Sequence, residues 1–236
     1  MTKVGLIGTG MLGEAVGLHL LESGYDLNVY NRTKSKTKKL AENGATIFDL
    51  PKHIAESSDL VITCVKDADA VKEVLFGNDG ITSGKYTDLS VADMSTINPT
   101  GAQEISKKLH AMKIKSLEIP VMGGPNVAIN GGLVLMAAGD KELFETHQKI
   151  FKTIANKIFF LGESGSAHTI KLAMNMQISL LALSCDIFLA LFSSASIFFS
   201  SLIKSDIFIS KVSFFKSFSS TIIHASSAII SSAFNF

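Results

Sequence analysis

Residues 3 to 33 restrict this chain more than any other stretch. Lys3-Val4-Gly5-Leu6-Ile7 is a short apolar run that enters Gly8-Thr9-Gly10-Met11-Leu12-Gly13. An amphipathic segment with Ala15, Val16, Leu18, Leu20 and Leu21 follows and stops at Gly24. A second apolar run, Leu27-Asn28-Val29-Tyr30, then ends in Asn31-Arg32-Thr33. Strand, glycine turn, helix and strand in this order make a dinucleotide-binding unit. Gly8 suits the tight turn, Gly10 lets the backbone approach a pyrophosphate, and Gly13 lets helix and strand pack closely. The pyrophosphate would sit on N–H groups at the helix start, where the helix dipole favours negative charge. An NAD-selecting unit places an acid at the end of the second strand. Here Arg32 and Thr33 offer a fork of N–H donors and a hydroxyl instead, which suits a 2′-phosphate and favours NADP, with NAD as the alternative.

The formal net charge of +1 argues against nucleic acid as a main partner. Cys64 and Cys185 are far apart in sequence and suggest neither a disulfide framework nor a metal site, in keeping with a reducing cytoplasm. No leader-like segment precedes the first strand.

The rest of the first 165 residues alternates between strand and helix patterns. Helices are expected over 34–43, 51–57, 67–75, 99–112 and 141–154, and strands over 45–48, 60–65, 90–94, 115–119, 133–138 and 157–161. Leu60 to Val65 is continuously apolar, as a parallel strand buried on both faces should be. The expected fold class is α/β: a Rossmann-type, doubly wound, mostly parallel sheet. Ligands in such sheets sit beyond the carboxyl ends of the strands. The informative loops therefore follow Ile7, Tyr30, Val65, Met94 and Ile119. Cofactor-binding candidates are Gly8, Thr9, Gly10, Met11, Leu12, Gly13, Asn31, Arg32, Thr33, Val65, Lys66 and Thr96.

Three later segments carry chemistry. They are Ser95-Thr96-Ile97-Asn98-Pro99, Pro120-Val121-Met122-Gly123-Gly124, and a helix with Lys171 and Asn175 four residues apart on one face. A buried lysine beside a cationic nicotinamide would have a lowered pKa, which suits acid–base work near neutrality, and a neighbouring amide can hold it in place. Gly123 and Gly124 leave backbone N–H groups for a carboxylate. The plainer alternatives are a helix cap at Ser95-Thr96, a simple turn at Gly123-Gly124 and a surface lysine at 171.

On these motifs the chain resembles the β-hydroxyacid dehydrogenases, such as 3-hydroxyisobutyrate dehydrogenase and the NADP-linked glyoxylate–succinic semialdehyde and tartronate semialdehyde reductases. The similarity runs in order through Gly8–Gly13, Asn31–Thr33, Asp93–Pro99, Pro120–Gly124 with Gly131–Met136, and Gly165 through Lys171 to Asn175, over about residues 3 to 184. The resemblance implies hydride transfer between the cofactor and a short 3-hydroxy acid or its semialdehyde. It implies that Lys171 is the general acid/base, that Asn175 orients substrate and that Thr96 contacts the cofactor near the nicotinamide. Ser95, Met122, Gly123 and Gly124 would bind the substrate, with Gly123 and Gly124 holding its carboxylate. No metal is implied. The family usually has Ser where Met122 stands, which leaves the exact substrate open. Related 6-phosphogluconate enzymes carry His where Met174 stands, and imine reductases usually lack the lysine.

The family continues into an all-helical domain that closes the active site and builds a homo-oligomer. Here the expected pattern stops near Ser184. The sequence therefore divides into a nucleotide-binding domain (1–163), the start of an interdomain helix (164–184) and a tail (185–236). The tail has no Glu, Gly or Pro and is rich in Ser, Phe and Ile. Three readings follow: a reductase truncated in effect near Ser184, a nucleotide-binding remnant with impaired catalysis, or a tail-anchored form spanning Ile187–Ile203. The third is disfavoured because the span is Ser-rich and barely long enough. The tail's composition is also what an inverted or frame-shifted coding segment would give, since Lys and Glu codons become Phe or Leu codons on the opposite strand. The inversion predicts that the reverse complement of codons 185–236 encodes a Lys/Glu/Ala-rich amphipathic helix; translating the encoding DNA decides it, and a reverse complement without such a helix rejects it.

Overall fold

The computed structural model describes residues 2–202. In chain order the elements are β1 (Lys3–Ile7), α1 (Met11–Glu22), β2 (Asp26–Tyr30), α2 (Lys38–Glu42), β3 (Thr46–Ile47), α3 (Pro51–Ser57), β4 (Leu60–Thr63) and α4 (Ala68–Phe76). They continue with β5 (Ser90–Asp93), α5 (Pro99–Ala111), β6 (Lys115–Glu118), β7 (Val121–Met122), α6 (Pro125–Ala128), β8 (Leu133–Gly139), α7 (Lys141–Thr146), α8 (Gln148–Ile154), β9 (Ala155–Phe160) and α9 (Ser166–Leu202).

The strands form one sheet in the order β3-β2-β1-β4-β5-β6-β8-β7, with β9 on β8. The six strands from β3 to β6 are parallel, and β8 pairs antiparallel with β6 and β7. Strand order reverses at β1, which lies between β2 and β4. The crevice beyond the carboxyl ends of those strands is therefore the expected ligand position. The sheet is covered on both faces. Leu6, Leu60, Ile62 and Leu135 join Val16, Leu20 and Phe151 in one core, while Ile7, Val61 and Val91 join Ile54, Leu75 and Leu109 in the other. Period-2 alternation sends successive residues of one strand to opposite cores, so β4 is buried throughout.

The doubly wound α/β class matches the expectation, with local differences. The helix expected over 34–43 divides into a 3-10 turn (Lys34–Thr37) and α2, and Gly44 leaves it at φ +98°. The helix expected over 141–154 is interrupted at His147, which ends α7 and starts α8. Strand β4 stops at Thr63 rather than Val65, because the Val65 N–H turns to the Ser95 hydroxyl at 3.0 Å. Ser95 and Thr96 do not cap the next helix: Asn98 does, accepting from Gly101 N–H at 2.6 Å ahead of Pro99. The short β7 and α6 lie in a stretch read from sequence as loop.

The chain divides into two compact units, Met1–Leu172 and Ala173–Phe236. The first holds the sheet and its covering helices. In the second, α9 continues past Ser184 to Leu202 and exposes Met174, Met176, Leu180, Leu181 and Leu183. The stretch 166–188 is, among the described residues, long and apolar enough to cross a membrane by length and composition. Its first turns carry His168 and Lys171, both buried. The anchor considered at Ile187–Ile203 ends outside the described residues, as does most of the tail 185–236.

Candidate functional site

Each glycine of the first turn has a distinct physical demand. Gly8 sits at φ +99°, and a Cβ there would collide with the Cys64 carbonyl oxygen at the end of β4. A Cβ on Gly13 would collide with the Gly8 carbonyl oxygen. Both positions are closed by the fold itself. Gly10 differs: its φ is −66°, and a Cβ there would meet nothing within 4 Å. The protein alone gives no reason for glycine at this position. Gly10 is also the N-cap of α1 and supplies no side-chain cap, so the N–H groups of Met11 and Leu12 are left without one, while the Gly13 N–H turns to Cys64. Open space above a bare helix start fits a pyrophosphate.

The turn is tied from behind. Asn31 Oδ1 accepts from Thr9 N–H at 3.0 Å, and its amide donates to the Thr33 carbonyl at 2.8 Å. The Thr9 hydroxyl donates to the Lys36 carbonyl at 3.0 Å. Thr9 is buried and Asn31 half-buried, so both brace the turn. Arg32 and Thr33 are exposed beside it. The Asp67 carboxyl is held below its usual range, chiefly by the Ala70 N–H, then by Lys66, with Arg32 adding to the effect. Lys66 is exposed and lies 2.9 Å from Asp67. The Cys64 thiol behind the turn is pushed up to about 12 by burial, which makes it a poor nucleophile.

A polar row crosses the sheet at the carboxyl ends of three strands. Thr63 pairs in register with Asp93, and Asp93 with Glu118. The Thr63 hydroxyl donates to Asp93 Oδ1 at 2.7 Å, and Ser95 N–H donates to the same oxygen at 3.1 Å. Ser95 is buried, and its hydroxyl accepts from Val65 N–H. Thr96, one residue on, is exposed. Glu118 Oε1 accepts from the Ser164 hydroxyl and from Gly165 N–H, which fixes the start of α9. Sequence reasoning missed Glu118 and Asp93 as organisers of these loops, because the partners Thr63, Ser164 and Gly165 lie 30 to 47 residues away.

Lys171 is 1% exposed, and its Nζ donates to Met122 Sδ at 3.1 Å. Burial lowers its pKa to about 8. An amine that titrates there can give or take a proton near neutral pH. Of the glycine pair, Gly123 needs its residue type: φ is +117°, and a Cβ would press on Leu133 at 2.9 Å. Gly124 has φ −95°, which any residue adopts, and precedes α6. The structure thus brings Lys171 to Met122 within the first unit. Asn175 is half-buried on the same helix, four residues on, in the second unit. Among the described residues, no group of three or more His, Cys, Asp or Glu could hold a metal ion.

Residues 3–162 match the family described as the NAD binding domain of 6-phosphogluconate dehydrogenase. The chain is 32% identical over 174 residues to "Cytokine-like nuclear factor N-PAC" of Anopheles gambiae, covering 74% of this chain and 31% of that protein. It is 37% identical over 179 residues to "Probable 3-hydroxyisobutyrate dehydrogenase-like 1, mitochondrial" of Arabidopsis thaliana, covering 75% of this chain and 53% of that one. The chain thus spans about a third to a half of these curated relatives. Among solved structures, the 3-hydroxyisobutyrate dehydrogenase of Mycobacterium tuberculosis with L-serine shares the fold, with a TM-score of 0.77 at 21% identity over 83% of this chain and 66% of that one.

Two substitutions separate the demands of fold and ligand. Gly13→Ala is expected to lower stability by about 1–3 kcal/mol through overpacking. Gly10→Ala is expected to melt like the parent chain yet bind NADPH at least about tenfold more weakly, a loss of ~1.4 kcal/mol. Thermal unfolding and fluorescence titration with NADPH read the two effects.

Proposed function

This chain belongs to the family of the NAD binding domain of 6-phosphogluconate dehydrogenase, and from that premise we propose that it binds NADP and transfers hydride between the cofactor and a short 3-hydroxy acid or its semialdehyde. The observation that carries the reading is Lys171: a lysine only 1% exposed, its pKa lowered by burial to about 8, beside the Met122-Gly123 turn. A structural lysine gains nothing from such burial, whereas a proton donor does.

The open helix start at Gly10–Leu12 holds the pyrophosphate, and the bound nicotinamide supplies or accepts the hydride. Thr9 and Asn31 keep the turn in shape from behind. Arg32 holds the 2′-phosphate, with the Thr33 hydroxyl beside it; no acid stands there to hold a ribose 2′-OH. Lys66 would add positive charge at the same crevice, Val65 would line the cofactor site, and Thr96 would contact the cofactor near the nicotinamide. The N–H groups of the Gly123-Gly124 turn and the Ser95 segment hold the substrate carboxylate. In reduction, Lys171 Nζ gives its proton to the carbonyl oxygen as that oxygen gains charge. In oxidation, neutral Nζ takes the hydroxyl proton. Asn175 orients the substrate. Met122 Sδ is a weak acceptor that keeps Nζ aimed at the turn without lowering its acidity as a carboxylate would.

A second reading is nucleotide binding without turnover. It is favoured by the nuclear-factor name of one of its relatives. NADPH binding with no reduction of any short semialdehyde would support it.

Three outcomes test the leading reading. Semialdehyde reduction by NADPH is expected to fall as pH rises through about 8, because protonated Lys171 is consumed, while alcohol oxidation rises over the same range. Lys171→Ala is expected to remove about 10²–10⁴-fold of the rate, and unchanged turnover would refute the mechanism. Arg32→Ala is expected to lower the NADPH-over-NADH preference by about 10–100-fold, the value of a charge-assisted contact; equal preference before and after would sink the 2′-phosphate assignment.

A further inference from the structure

Glu118 and His168 take no part in the mechanism above, yet both are buried, Glu118 at the end of β6 and His168 in the first turn of Lys171's own helix. Glu118 is 5% exposed and His168 fully buried. Glu118 Oε1 is committed to Ser164 and Gly165, but Oε2 has no hydrogen-bond partner, and neither does either ring nitrogen of His168. Three orphaned polar atoms in one small region are costly unless something satisfies them. Both side chains line a cavity of about 20 Å³ between β5, β6, α5 and the start of α9. The hydroxyl-bearing Ser106 and Ser116, whose Oγ atoms lie 3.2 Å apart, line it too, as does Asp93. Its remaining wall includes Leu75, Ile105 and Leu109. A cavity above roughly 10–15 Å³ holds one water when two to four polar partners face it. Burial pushes the His168 imidazole below its usual pKa, against the opposing charges of Asp93 and Glu118. A neutral imidazole offers one donor and one acceptor.

We propose that this cavity is a single-water site through which His168 and Glu118 brace the first turn of α9, making both of them positioning residues for Lys171. His168 lies three residues before Lys171, on the adjacent turn of the same helix. Glu118 fixes the backbone at Gly165. Together they set how deeply the helix seats against the sheet, and that depth is what desolvates the Lys171 amine. The water accepts from or donates to one His168 ring nitrogen and donates to Glu118 Oε2, so two of the three orphaned atoms gain a partner. The inference rests on Lys171 being the proton donor only for its catalytic meaning; the seating itself is measured without turnover.

The full-length chain labelled with ¹³C-lysine, with Lys171 assigned by comparison with Lys171→Arg, gives the Lys171 titration midpoint by NMR. The expected midpoint is about 8 in the parent. In Glu118→Ala it should rise by at least ~1 pH unit toward the ordinary lysine value, because the loosened helix start admits water. Glu118→Gln keeps an acceptor for Ser164 and Gly165 and should stay near the parent. His168→Leu should rise, and His168→Gln should restore it. Circular dichroism identifies which variants fold. If Glu118→Ala does not fold, His168→Leu and Ser164→Ala, which deletes one hydrogen bond to Glu118, decide on the same criterion. Folded variants that leave the midpoint unchanged overturn the brace. A high-resolution crystal structure should show one water in hydrogen-bonding reach of Glu118 Oε2 and a His168 ring nitrogen; a dry cavity overturns the water site. If Lys171→Ala kept full turnover, the functional reading would fail while these titrations still judged the brace.

Discussion

Thr63, Asp93 and Glu118 stand in register at the carboxyl ends of β4, β5 and β6, and the loops above them take their positions from that row. Asp93 holds Thr63 on one side and Ser95 on the other. Ser95 in turn holds Val65, so the loops after β4 and β5 are tied to each other through one hydroxyl. Glu118 extends the row to Ser164 and Gly165, and so to the helix that carries Lys171. Buried polar groups demand partners, and here the partners lie on β4, on the loop after β5 and on the loop before α9. The requirement to satisfy the row therefore fixes several loops at once.

The glycine turn rests on a different constraint, close approach. Gly8 and Gly13 are required because backbone comes too near for any side chain. Gly10 has free space around its missing Cβ, which separates the demand of a ligand from the demands of the fold. The two halves of the site thus use different physics: steric closeness at the nucleotide end, and a buried hydrogen-bonded row at the Lys171 end. Burial lowers the Lys171 pKa while a thioether supplies a weak acceptor, so the amine stays able to exchange a proton.

Much of this was legible in the sequence where the signal is local. The alternation of apolar runs and helical spacing placed the parallel strands, and the Gly8–Gly13 spacing placed the turn. Pro51 to Ser57 forms a helix over the residues its pattern indicated. Other features were hidden because they depend on distant partners. Nothing in Leu60–Val65 indicates that the strand ends at Thr63; the Ser95 hydroxyl, 30 residues on, draws Val65 away. Nothing around Lys115–Ile119 marks Glu118 as the residue that holds Gly165, because a carboxyl at a strand end looks like any solvated acid until the sheet closes over it. His168 reads as an ordinary helix residue until both its nitrogens are found buried.

The sequence by itself determined the fold class, the nucleotide turn and the pairing of Lys171 with Asn175 on one helix. Those features arise from backbone sterics and from periodicity within some ten to thirty residues, and each is written in adjacent positions. Only the tertiary structure decided which polar groups are buried together. That outcome depends on strand order and register, which bring β5, β6 and the start of α9 into contact across long loops. Desolvation acts on a side chain through everything packed around it, so the lowered pKa of Lys171 and the row at Thr63, Asp93 and Glu118 exist only once the sheet has assembled.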